Sequence, residues 1–205
     1  MGMKLTINNL FSFIAYITPF LVTFYIITIG LMQGGSGGAV KSMIYSAGIL
    51  LVLIIATMLQ NSIAERGEMP SHPLCNLFEI PFIDNAYVNP AISTTVITFS
   101  LFYLLFPMIS SGDYKFALLG FMSLLLLLNV VTQYSKKCSS FMGVVSGLIT
   151  GMSIAGLYTW GVSFDTDSDL LFFGNQVSNN VTCSKPTNQT FKCAVYKNGK
   201  VIQNL

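Results

Sequence analysis

The sequence predicts an all-α membrane protein of about five transmembrane helices with a small C-terminal β-hairpin tail. Three observations carry this reading. Five long blocks, 10–32, 42–59, 91–109, 116–133 and 141–160, hold no charged residue. Each is long enough, or nearly so, to cross a hydrocarbon core about 30 Å thick as a helix. Only 9% of the chain is charged, against 53% hydrophobic, where a soluble domain carries about 25% charge. Finally, the polar tail places Asn198-Gly199 between two alternating runs, which is a hairpin signature. The division is therefore a helical domain over 1–161 and a tail over 162–205, with the hairpin at about 190–203.

The first block is rich in aromatic and β-branched residues (Phe20, Val22, Phe24, Tyr25, Ile26, Ile27). Lipid tolerates these in a helix, because only intra-helical bonds satisfy the backbone there. Pro19 lies inside the block, where a kink is expected. Its charge-free run exceeds a signal-peptide core of about 7–15 residues, and Lys4 is the single positive charge before it. An uncleaved signal anchor is the expectation. A glycine-rich stretch, Gly34-Gly35-Ser36-Gly37-Gly38, is expected to form a short flexible loop before the second block.

Residues 60–90 differ in character. They contain Glu65, Arg66, Glu68, Glu79 and Asp84, together with Pro70, Pro73, Pro81 and Pro90. The prolines exclude a long helix. Leu74, Leu77, Phe78, Ile80, Phe82 and Ile83 are apolar, so the loop is expected at the membrane surface or against a partner.

Blocks three and four are separated by Ser110-Ser111-Gly112-Asp113, a tight turn that predicts an antiparallel helical hairpin. Tyr134–Ser140 joins blocks four and five. Tyr103, Tyr114, Tyr134, Tyr158 and Trp160 fall near block ends, as an interfacial aromatic belt would. In the fifth block Ser139, Gly143, Gly147, Gly151, Ala155 and Thr159 recur every four residues. They form one stripe of small residues along a helix, which permits close helix–helix approach. Packing within the chain is the plainer use of that stripe. Self-association into a homo-oligomer through the fifth span is the sharper one.

Orientation follows from Lys and Arg. Five spans put the termini on opposite faces, one carrying Lys4, Arg66, Lys136 and Lys137, the other Lys41 and Lys115. The larger count predicts the N-terminus on the cytosolic side and the tail on the opposite side. Asn180-Val181-Thr182 and Asn188-Gln189-Thr190 are N-x-Thr glycosylation acceptors in that tail. Cys183 and Cys193 beside them suit a disulfide in an oxidising compartment. Such a bond would staple a hairpin that is marginal by itself.

Several functions lose support from composition. Proton relays and voltage sensors place charges inside spans, and none of the five blocks has one. Asn129, Gln133 and Thr150 are the polar residues left to line a route. The net charge of +2 and the lack of a basic cluster beyond Lys136-Lys137 argue against nucleic-acid binding. His72 and Cys75 are too few for a zinc site and have no third group to orient a nucleophile. Cys138, beside Lys136-Lys137, reads as a small apolar residue at an interface or as a palmitoylation site. The sequence thus offers no catalytic residue and implies no cofactor or metal.

The tail string Cys183-Ser-Lys-Pro-Thr-Asn-Gln-Thr-Phe-Lys-Cys193-Ala-Val-Tyr-Lys-Asn-Gly resembles tails of small multi-span membrane proteins of large icosahedral double-stranded DNA viruses, such as those infecting algae. The resemblance covers about twenty residues of tail and the helix-plus-tail layout. It implies a structural virion protein of the minor capsid type in a viral internal membrane derived from host endomembranes. Its expected partners are the lipid bilayer and other membrane or capsid proteins. The alternatives are a channel or transporter subunit, or a membrane enzyme built on the 60–90 loop.

Overall fold

The computed structural model describes residues 7–32, 35–63, 89–165, 170–173, 194–197 and 200–204. Five helices run in order: α1 (Ile7–Met32), α2 (Gly35–Ile63), α3 (Ile92–Ser111), α4 (Phe116–Ser135) and α5 (Phe141–Asp165). Each is long and apolar enough to cross a membrane, which is compatible with an integral membrane protein. Ala194–Lys197 (β1) and Lys200–Asn204 (β2) pair antiparallel. Asn198, Gly199, Cys183, Cys193, Asn180, Asn188, His72 and Cys75 lie outside the described residues.

α3 is the axis of the bundle. It contacts all four other helices, α5 most extensively. Within its most apolar window 67% of residues are buried, against 17% for α4, so α4 is the peripheral helix. The core runs through Val22, Ile26, Tyr45, Val52, Phe99, Tyr103, Leu104, Met108, Ile154 and Phe172. Outside it the surface stays apolar: Phe24, Met43, Phe116, Leu127 and Leu157 are all exposed. A patchwork this apolar suits hydrocarbon and would be a liability in water.

The connections follow from local chemistry. Gly112 closes α3 in the left-handed conformation, φ 71°, which glycine adopts without steric cost. The exposed Lys115–Asp113 ion pair at 2.9 Å decorates the turn into α4 and contributes little. α4 ends in a Schellman motif. The Cys138 N–H donates to Gln133 O and the Lys137 N–H to Tyr134 O, with Lys137 at φ 54° where glycine is usual. Ser140 then caps α5, accepting from the Gly143 N–H at 3.0 Å.

The glycine-rich stretch departs from expectation. Gly35–Gly38 form the first turn of α2 instead of a loop. An added Cβ on Gly37 meets nothing within 4 Å, so the close approach between α1 and α2 falls on Gly30 of α1. A Cβ on Gly30 would meet Ser42 Oγ at 2.1 Å and Gly38 O at 3.2 Å. Large side chains there would force α1 and α2 apart.

Candidate functional site

Most polar side chains inside the bundle are bound to one another or to backbone. Pro19 has no N–H, so the carbonyl of Ala15, four residues earlier, loses its helical donor. Asn129 of α4 supplies the replacement: its Nδ2 donates to Ala15 O at 2.9 Å. The same amide accepts from Thr94 Oγ1 of α3 at 3.2 Å. One fully buried side chain therefore ties three helices together and satisfies a group that proline left bare. A turn away on α4, Gln133 Nε2 donates to Ser93 Oγ of α3. Thr18 and Thr23 fold their hydroxyls back onto Ile14 O and Pro19 O.

A second buried group is aromatic. The rings of Tyr45, Phe99, Tyr103, Tyr158 and Phe172 gather with centroids 5.3–6.4 Å apart. Tyr45 and Ser100 share a hydroxyl hydrogen bond of 2.7 Å, and the Tyr158 hydroxyl donates to Ile44 O at 2.6 Å. Among the described residues the buried hydroxyls of Thr98 and Tyr103 have no partner. Tyr103 and Tyr158 thus leave the expected interfacial belt, because their rings fill the core. Tyr114, Tyr134 and Trp160 remain exposed at helix ends.

The small-residue stripe of α5 is buried along its length: Ser139, Gly143, Gly147, Gly151, Ala155 and Thr159. α3 occupies it. A Cβ on Gly151 would stand 2.6 Å from Thr95 O, and one on Gly147 3.0 Å from Ala91 O. At the end of the stripe the Ala91 N–H donates to Gly143 O at 2.9 Å. Ser146 Oγ donates to Asn89 Oδ1 at 2.5 Å. The outward face of α5, with Met142, Ile149, Met152, Leu157 and Trp160, is the one available to lipid or to another protein.

Two features escaped the sequence reading. Leu171 and Phe172, six and seven residues past the end of α5, are buried at the open end of the bundle. Phe172 lies edge-on to Tyr103 and within reach of Gly30. The apolar run Leu170–Phe173 inside a polar tail was the available signal. Cys138 is disulfide-bonded, and its sulfur accepts the Tyr16 hydroxyl. No charge pattern near it announced this.

Chemically, the bundle presents neutral amides, hydroxyls and rings. Among the described residues no three His, Cys, Asp or Glu side chains gather as metal ligands would. No family model, no curated protein and no solved structure matches this chain.

Proposed function

We propose that the protein is a structural membrane protein of a virion, anchoring an internal membrane and linking it to capsid or other proteins. The observation supporting this is where its recognition chemistry lies. Apart from Lys41 near the start of α2, the spans hold no Lys, Arg, His, Asp or Glu, and most of their buried polar groups bond another helix or their own helix backbone. What can read a partner is outside the helices: the proline-rich 60–90 segment and the lysine-bearing tail. In this reading β1 and β2 form a hairpin unit around Asn198-Gly199, stapled by Cys183–Cys193, and Asn180 and Asn188 carry glycans. The N-terminus faces the cytosol and the tail the opposite side, as the basic residues favour. The role needs no catalysis, and the tail is the contact to the shell. Deleting residues 183–205 is expected to abolish incorporation into particles while membrane insertion survives. Unchanged incorporation would sink the proposal.

A second reading, a channel or transporter subunit, is favoured by the unpartnered Thr98 and Tyr103 hydroxyls within the bundle. It predicts solute or ion flux through the purified protein in liposomes. A silent assay across common ions would remove it.

A further inference from the structure

We infer that Cys138 is bonded to Cys75, a disulfide that staples the proline-rich segment to the turn between α4 and α5. Cys138 is in a disulfide, and the chain has four cysteines in all, so its partner is Cys75, Cys183 or Cys193. Membrane topology separates these candidates. Cys138 lies just before α5, whose 25 residues carry the chain about 37 Å to the opposite end of the bundle. There Phe172 is fixed against Tyr103 and beside Gly30, near the end of α1. Cys183 is the tenth residue beyond Phe173, at most about 35 Å of fully extended chain away. To meet Cys138, either tail cysteine would have to return across about 30 Å of hydrocarbon as unpaired backbone, which lipid does not tolerate.

Cys75 faces no such barrier. Its segment leaves α2 and returns to α3 at the end of the bundle where Cys138 lies. Both of its ends are seated there: Gln60 Nε2 donates to Pro90 O at 2.8 Å, and the Asn89 side chain accepts from Ser146 of α5. Cys75 is the twelfth residue beyond Ile63, an extended reach of about 40 Å. Cys75 itself lies outside the described residues, and its assignment comes from connectivity.

Formation removes two protons and two electrons from the two thiols. The electrons pass by thiol–disulfide exchange to an oxidised dithiol, either a disulfide-carrying oxidoreductase or oxidised glutathione. The pairing leaves Cys183 and Cys193 as partners on the other face. It does not depend on a virion role, but on the face that the basic residues assign to the cytosol it requires an oxidant that outcompetes the reducing thiol pool.

The test is a non-reducing peptide map of the full chain. Free thiols are blocked with N-ethylmaleimide in the producing cells and again under denaturation. The expected product is a peptide joining Cys75 to Cys138, lost on reduction. In Cys75→Ser, Cys138 should become alkylated without reductant. A peptide joining Cys138 to Cys183 or Cys193 overturns the inference. So does alkylation of Cys138 in the unreduced wild-type chain, or its continued protection in Cys75→Ser.

Discussion

At the scale of single residues, Pro19 and Asn129 are one device divided between two helices. The proline bares a carbonyl in α1 and the amide from α4 covers it. Asn129→Leu should lower stability by about 1–2 kcal/mol, combining a lost interhelical bond with a buried acceptor left unsatisfied. Pro19→Ala returns an N–H to α1, so the Ala15 carbonyl no longer needs Asn129. The double variant should therefore lose less than the two single losses added, by about 0.5 kcal/mol or more. Unfolding titrations in mixed detergent micelles measure all three variants, and strict additivity would refute the coupling. Sequence reading noticed both residues separately. It read Pro19 as a kink and Asn129 as a lining for a polar route. The bond that connects them, from Asn129 to Ala15, spans 114 positions, and no local pattern encodes it.

At the scale of elements, α3 and α5 are held by contact so close that backbone meets backbone across the stripe. Gly151→Val places branched carbons where Thr95 O stands, and neither main chain can yield by rotating a side chain. A loss of about 1–3 kcal/mol is expected from the overpacking. Gly161→Val, with nothing within 4 Å of its added Cβ, serves as the control and should change stability by a few tenths of a kcal/mol. Thermal unfolding in detergent compares the two, and equal shifts would mean the stripe is not a packing seam. The period-four spacing made the stripe legible in the sequence, because one helix's periodicity is a local property. Its occupant was not legible, since the same stripe fits any close neighbour. Span existence was readable for the same local reason. The glycine stretch was misread because its composition suits a flexible linker, whereas Gly35–Gly38 continue into the first turn of α2. The tight seam lies instead at Gly30 of α1, where an added Cβ would strike Ser42, while Gly37 has nothing within 4 Å.

At the scale of the whole molecule, orientation rests on the asymmetry of basic residues between the two faces. Tags at the two ends of the chain, digested in sealed microsomes, read it directly. The N-terminal tag should be cleaved and the C-terminal tag protected, and the opposite pattern would invert the arrangement. The burial of Leu171 and Phe172 has a mechanical consequence for a chain that is held by its tail. A pull on residues beyond Phe173 does not run straight down α5. It first meets Phe172, wedged against Tyr103 and Gly30, and so enters through α1 and α3 at the bundle's end. Load is shared sideways among several helices before any one of them is drawn out of the bilayer. Extraction would begin by unseating one phenylalanine ring, and the tether would behave as a shear joint with its own threshold force.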